Sequence, residues 1–531
     1  HIGNAQDGDK VLIKILDWKK NDLSPIGRVE KILGNPGAHT TEIDSILSKN
    51  NIEIKFSEEV KEFTKNISDK ISKKDIEKRR DFRKTLTFTI DPTDAKDFDD
   101  ALSYKKLENN NIEVGIHIAD VSHYVVPGTI LDKEAYNRAT SIYLVDRVIP
   151  MLPEKLSNNL CSLKPNIDRL TFSVLIKMDE KFKIISSWVG RTIIHSKKRF
   201  TYEDAQESID NTNGLFHEKL NMLNKVAKHI RKNRFDSGSF NFRSNEVKFK
   251  LDKEKKPIGV YKKVRKDTHK LVEEYMLLAN KIVAEFIINH EKKHNKTFPF
   301  IYRIHEDPEQ QKISELKNYI KQYGYSINSN EKNLAVSLND LMKKIKGKPE
   351  ESSIEKFAIR SMSKAKYSTN KEKHFGLSFR HYTHFTSPIR RFPDVMVHRL
   401  ISDYTNGSNP KDKRYYDIMC KHSSKMEINA TKAERESIKF KQAEYMTNFI
   451  GKEFEAVISG ITEWGMYGEI VENHCEGLIR MSSMKDDRYE FDDQKIRIVG
   501  RNNKKIFRYF LYNVWTIYSY WNNGWFCWKN W

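Results

Sequence analysis

Residues 85–100 read TLTFTIDPTDAKDFDD. In the first half Leu86, Phe88 and Ile90 alternate with Thr85, Thr87 and Thr89. A period of two in β-branched and aromatic residues predicts a strand. The second half sets five carboxylates, Asp91, Asp94, Asp97, Asp99 and Asp100, within ten residues directly after that strand. Like charges ~4 Å apart repel by ~4 kcal/mol per pair at an effective dielectric of ~20. Such a cluster persists if its acids point apart into water, or if cations bind between them. Several oxygen donors with little His or Cys suit hard Mg²⁺ or Mn²⁺. A calcium-binding loop is excluded, because Lys96 and Leu102 stand where its pattern needs Gly and Glu. Two readings stay open: an acidic surface turn, and a metal-assisted phosphoryl-transfer site.

Outward from this stretch, Ile112, Val114, Ile116 and Ile118 predict a second strand. Leu271, Tyr275, Leu278, Ile282 and Phe286 repeat at helical spacing after a candidate cap at Asp267, and another helix is expected near 353–366. Strands and helices alternate irregularly, which makes the fold class α+β and multidomain, with residues 85–405 as the main domain. Residues 1–56 resemble the remainder of a small β-domain: Val11, Ile13 and Ile15 carry a strand period, and Pro25, Gly27, Gly34 and Pro36 punctuate turns. The basic run Lys78, Arg79, Arg80, Arg83 and Lys84 reads as a solvated face, so 57–84 is expected to be a linker or an exposed helix entering the main domain. Residues 406–450 are polar and helical in pattern, a connector. From 451 to 508 a short β pattern around Trp464-Gly465-Met466-Tyr467-Gly468 predicts a small barrel. Residues 509–531 hold five of the eight tryptophans and a single charge, Lys529. This tail is a poor membrane anchor and reads as an aberrant, out-of-frame or truncated end.

A length of 531 residues allows roughly three or four domains. The formal net charge of +21 points to a polyanion, RNA or DNA sooner than a membrane, against the bland alternative of Lys-rich codon usage. Four scattered cysteines exclude a disulfide scaffold and leave no CxxC for a zinc ribbon, so a reducing, cytoplasmic compartment is expected. No signal peptide opens the chain, and His1 in place of Met reads as a fragment. A negative pocket on a basic protein is the pattern of a nuclease. A second constellation, YTHFTSPIRRFPD at 382–394, rigidifies paired arginines between Pro388 and Pro393. Arg390 and Arg391 suit phosphate oxygens, with an ion pair to Asp394 as the plain alternative.

At these two motifs the chain resembles the ribonuclease II / ribonuclease R family, whose catalytic domain is called RNB. The resemblance is carried by RDFRKTLTFTIDPTDAKDFDDAL (80–102), IHIADVSHY (116–124), SIYLVDRVIPML (141–152), VEEYM (272–276) with Ala279-Asn280, YRIHE (302–306) and the Arg390 loop. These segments keep the family's order over about residues 1–508, and their wording is closer to the ribonuclease R branch. The resemblance implies a 3′→5′ hydrolytic exoribonuclease that degrades RNA processively to 5′-mononucleotides by a two-metal mechanism with Mg²⁺, or Mn²⁺. It implies a partial cold-shock-like OB domain at 1–56 and a partial ribosomal-protein-S-one-type RNA-binding OB domain at 451–508. A first cold-shock domain and a basic tail are absent, and the last domain is expected to break off after Arg508.

Residue by residue, Asp91, Asp97, Asp99 and Asp100 match the family's metal-site aspartates, with Asp94 outside that set and Asp99 the first choice for the indispensable ligand. Arg390 matches the arginine on the scissile phosphate, with Arg391 beside it. Tyr143 matches the aromatic that stacks on the terminal base and Phe242 its partner, although Asn241 stands where Asp is usual. Glu274, with Glu273, matches a carboxylate facing the terminal ribose. Phe454, Trp464 and Tyr467 are candidates for base stacking, while Gly468 stands where a bulkier residue is expected. His117 and His123 flank Asp120 and read as structural. The partner expected is single-stranded RNA or RNA with a 3′ overhang, bound by a monomer, with ribosome or degradation-machinery association. The rivals are a non-catalytic or truncation-impaired RNA-binding homologue, and a DNA exonuclease.

Overall fold

The computed structural model describes residues 2–18, 24–240, 247–262, 264–328, 331–348, 350–409, 411–493, 497–507, 512–522 and 525–529, the last two stretches as backbone alone. The front module pairs β1 (Lys10–Asp17) with β2 (Ile26–Gly34) and adds one helix, His39–Lys49. The main domain is built on a seven-stranded sheet. Its strands are β3 (Arg80–Asp81), β4 (Thr87–Asp91), β5 (Asp100–Lys106), β6 (Ile112–Ala119), β9 (Asp168–Met178), β10 (Ile184–His195) and β11 (Lys198–Thr201). Between β6 and β9 a small hairpin joins β7 (Ile142–Tyr143) to β8 (Val148–Ile149). The sheet order is β11-β4-β5-β6-β9-β10-β3.

The alternation at 85–90 implies one wet face, but all five residues of β4 are buried. Its threonines serve an interior position: Thr87 donates to the His195 carbonyl at 3.2 Å. β4 lies between parallel β11 and antiparallel β5 and is covered on both faces, which favours β-branched residues throughout. The helix Asp267–His294 packs on this sheet through Leu271, Tyr275, Leu278 and Ile282, as its spacing predicts, although it begins at Asp267 with Lys266 as its cap.

The 57–84 stretch takes the helical form: helices Glu58–Lys65 and Lys73–Glu77 lie in it, the first seating Val60 in the main core, and β3 adds in parallel to β10. Arg79, expected on a solvated face, is buried and pairs with buried Asp120 at 2.6 Å. A lone buried carboxylate is costly, and a guanidinium beside it removes that cost.

The helix Lys413–Met446 spans the 406–450 connector. Strands Glu453–Thr462, Gly465–Ile470 and Glu476–Arg480 form the expected barrel. The tail does not stand apart from it. Strands Tyr512–Asn522 and Trp525–Lys529 close the barrel, with Glu453 opposite Thr516 and Val457 opposite Tyr512. Alternation of large and small residues is blurred there by tryptophans, which hid a strand pattern. Gly468 faces the barrel interior, where an added Cβ would touch Ile479 at 3.4 Å, so it takes no part in an outer gripping face.

Candidate active site

The end of β4 and the start of β5 set Asp91 and Asp100 on neighbouring strands, with the acidic loop between them. The loop is pinned from inside. The Ser162 hydroxyl donates to the Lys96 carbonyl at 2.7 Å and accepts from the Phe98 amide at 3.1 Å. The Asp99 carbonyl accepts from the Ala119 amide at 2.9 Å. Asp99 and Asp91 are thereby buried, at 7% and 8% exposure.

The Arg390 loop meets this cluster from 290 residues away. The Ile389 amide donates to Asp99 Oδ1 at 2.9 Å, and Arg390 Nε lies 3.8 Å from Asp99 Oδ2. Arg390 keeps its guanidinium at 41% exposure, braced on the Ser387 hydroxyl at 3.0 Å. Arg391 behaves differently. It donates twice to Asp394, at 2.9 and 2.8 Å, and Asp394 is fully buried. Of the two sequence readings for Arg391, RNA contact and an ion pair to Asp394, the structure shows the ion pair, which ties the loop to the start of the helix at Phe392.

Electrostatically the acid cluster is incomplete. Burial holds Asp99 well above the usual carboxylate range, against the pull of Arg390 and the Ile389 amide. Burial, then the neighbouring Asp100, raises Asp91 in the same way, and burial raises Asp97. Burial pushes Asp100 up to about 7. Asp91 Oδ2 is buried with no hydrogen-bond partner. Among the described residues no three His, Cys, Asp or Glu side chains are already gathered into a metal-binding group. The donor set itself is four hard carboxylates that repel one another and carry an orphaned oxygen, which fits a hard divalent cation.

The other sequence-derived residues divide. Tyr143 is 39% exposed, and its hydroxyl is held above its ordinary value by burial while feeling Arg390, Asp97 and Asp99, so the ring borders the cluster. Trp464 is exposed at the barrel's first turn. Phe454 and Tyr467 are partly buried, the former edge-on to Phe449 at 5.9 Å. Phe242 lies outside the described residues. Glu274 is fully buried, accepting from Arg234 Nη2 at 2.5 Å and Nε at 3.0 Å and from Arg231 at 3.0 Å. Glu273 pairs with Arg265. Glu274 is thus enclosed by arginines, whereas Glu273 keeps about a third of its side chain exposed. His117 bridges the Ser103 and Ser173 hydroxyls at 2.9 and 2.7 Å, a structural role that burial enforces by lowering it to about 3.

Three contributors were not foreseen. Arg199 Nη2 donates to the Pro92 and Thr93 carbonyls and straps the acidic loop to β11. Tyr202 stacks on His269 at 3.9 Å and feels Asp100 and Asp91. Glu434 accepts from the Tyr143 amide at 3.2 Å. Arg199 sits in a strand of four residues, too short for any period to show, and Tyr202 opens the helix Tyr202–Asp210 that follows it; Glu434 lies on a polar helix where one acid looks like the next.

Residues 79–407 match the RNB domain family, and residues 1–57 match a cold shock domain. Ribonuclease R of Thermotoga maritima is 37% identical over 523 residues, covering 96% of this chain and 73% of that protein. Ribonuclease R of Aquifex aeolicus is 35% identical over 512 residues, covering 95% and 72%. The solved structure of Mycoplasma genitalium RNase R in complex with ribose-methylated single-stranded RNA superposes with a TM-score of 0.92 at 25% identity, covering 99% of this chain and 83% of that one.

Proposed function

This chain belongs to the RNB-domain ribonuclease R family of exoribonucleases, and from that premise we propose that it shortens single-stranded RNA, or RNA with a 3′ overhang, processively from the 3′ end. The products are 5′-mononucleotides. The observation that carries the reading is the junction of Asp99 with the Ile389 amide and Arg390, where buried acid and half-exposed guanidinium share one edge. The net charge of +21 supplies attraction for a polyanion.

Asp91, Asp97, Asp99 and Asp100 are the residues that would hold Mg²⁺, or Mn²⁺, in a two-metal arrangement. Bound there, the ions would supply Lewis-acid charge for phosphodiester hydrolysis. The chain's own groups do the rest. Arg390 presents N–H donors toward solvent beside Asp99, where a scissile phosphate gains negative charge in the transition state. Tyr143 offers an aromatic face to the terminal base, a contact that holds any base without reading sequence. Trp464 offers a second such face at the barrel. Among the described residues no helix is long and apolar enough to cross a membrane; we place the protein in the cytoplasm, acting as a monomer.

The test uses matched RNA and DNA oligomers labelled at either end, digested with Mg²⁺, with products separated by size. Mononucleotide release from the 3′ end of RNA alone is expected. Release from the 5′ end, internal cuts, or equal degradation of DNA would overturn the proposal.

A further inference from the structure

The β7–β8 hairpin that carries Tyr143 is too short to hold itself: Ile142 pairs with Ile149 and Tyr143 with Val148, and one further backbone hydrogen bond, from the Leu144 amide to the Arg147 carbonyl at 2.9 Å, closes the tip. Isolated two-stranded hairpins are marginal in water. Its base is tied to the catalytic loop, since the Arg390 carbonyl accepts from the Ser141 amide at 2.9 Å and the Thr140 hydroxyl at 3.2 Å. Its tip is held by two other parts of the chain. From the long helix Lys413–Met446, the buried Ser437 hydroxyl accepts from the Val145 amide at 3.1 Å. From the front module, His39 Nε2 meets Asp146 Oδ2 at 2.9 Å.

The Asp146 side chain is only 1% exposed, and its Oδ2 also accepts from Arg147 Nε at 2.7 Å. His39 opens the front helix and stacks on Phe440 of the long helix, with centroids 6.2 Å apart and planes 21° from parallel. Beneath this pair Leu144 is buried among Ile43 and Leu47 of the front helix and Ala433 and Phe440 of the long helix. The hairpin is therefore a wedge between two elements remote in sequence, and each touches its tip through a buried polar contact. Nothing in the metal cluster or the Arg390 loop requires these contacts.

We propose that His39, Asp146 and Ser437 are positioning residues for the exonuclease reaction: they lock the hairpin so that Tyr143 faces the aspartate cluster, and they make the cold-shock module part of the grip on the RNA end. The proposal rests on the reading of Tyr143 as the terminal-base platform. It implies that movement of the front module against the long helix is felt at the terminal nucleotide, with no contact between that module and the reacting phosphate.

The test uses the full chain and single-stranded RNA whose 3′-terminal base is 2-aminopurine. His39→Phe keeps a ring on Phe440 and removes the nitrogen that meets Asp146. Ser437→Ala removes the hydroxyl that accepts from the Val145 amide. One lost hydrogen bond of ~1 kcal/mol corresponds to about a five-fold change. Each variant is expected to raise KM several-fold, to leave kcat within about two-fold, and to weaken the quenching of 2-aminopurine on binding in EDTA. Tyr143→Ala is expected to do the same. Adding His39→Phe or Ser437→Ala to Tyr143→Ala should then change nothing further, because contacts that act through one residue are not additive. If they raise KM equally in both backgrounds, or leave KM and quenching unchanged in the wild-type background, the positioning role is overturned. If Tyr143→Ala itself alters neither KM nor quenching, the terminal-base reading fails instead. Thermal melting shows whether either variant is misfolded; if His39→Phe is, Ser437→Ala decides.

Discussion

Asp100→Asn should stabilise the metal-free protein, an unusual outcome for a residue at an active site. Burial raises the Asp100 carboxyl from its ordinary 3.8 to about 7 in the folded chain. A folded value above the unfolded one means that the native state holds its proton more tightly. Stability is then lost as pH rises from about 4 to about 7 and stays lost above it. The shift corresponds to about 4 kcal/mol of destabilisation at pH 8 when no cation is bound. Asn has nearly the same shape and no charge to desolvate, so it removes that penalty. At pH 5 the advantage should fall to less than half, since wild-type Asp100 is then mostly protonated. Mg²⁺ narrows the gap. A bound cation stabilises the native state in proportion to its affinity, ~3 kcal/mol at a hundred times its Kd, and the variant has lost a donor. The assay is thermal or urea unfolding of both proteins at pH 5 and pH 8, in EDTA and in excess Mg²⁺. Destabilisation of the variant at pH 8 in EDTA would mean that Asp100 carries no burial penalty, and an equal gain from Mg²⁺ in both proteins would mean that it donates nothing to the cation.

Glu274→Ala leaves Arg234 and Arg231 facing a void in the interior and should cost ~3–5 kcal/mol in urea unfolding; Glu274→Gln, which keeps one of the two acceptor oxygens, should cost less. Arg390→Ala should lower kcat by ~10²–10³-fold with little change in melting temperature. Arg391→Ala should do the reverse first, lowering the melting temperature by stranding buried Asp394, so paired kinetics and melting separate the two neighbours. Burial works to raise Asp120, but Arg79, Arg191 and the Ser122 hydroxyl outweigh it and hold the carboxyl far below its usual range. A depressed folded value gives stability that is complete above pH ~4 and lost as pH falls below it. Acid unfolding of Asp120→Asn should therefore show a flatter dependence below pH 4 than wild type, read by circular dichroism.

Much of this was legible in the chain. Strands β4 and β6 follow from period two, and the acid cluster follows from five carboxylates beside an apolar strand, because charge density at a core edge has few explanations. What stayed hidden was pairing at a distance. Arg79 sits in a basic run and looks solvated until Asp120 folds over it, 41 residues on. Arg391 and Arg390 are adjacent and chemically alike, and only the helix beginning at Phe392 turns one inward and leaves the other out. Glu274 has a helical neighbour, Glu273, of identical chemistry; Arg231 and Arg234 reach across from another helix to both, yet only Glu274 lies on the helix face turned into the core. The 509–531 tail looked foreign by composition, yet backbone pairing with Glu453–Val457 needs only N–H and C=O groups.

Asp99, clasped by the Ile389 amide beside Arg390, is the residue on which the proposed magnesium-dependent hydrolysis of RNA turns. The most direct measurement is digestion of 5′-labelled single-stranded RNA by wild type and Asp99→Asn, each in Mg²⁺ and in EDTA. The Asn side chain can still accept the Ile389 hydrogen bond, so the fold is preserved while the charge is removed. Stepwise shortening from the 3′ end by wild type in Mg²⁺ alone is the predicted result; equal shortening by Asp99→Asn, or shortening by wild type in EDTA, would contradict it.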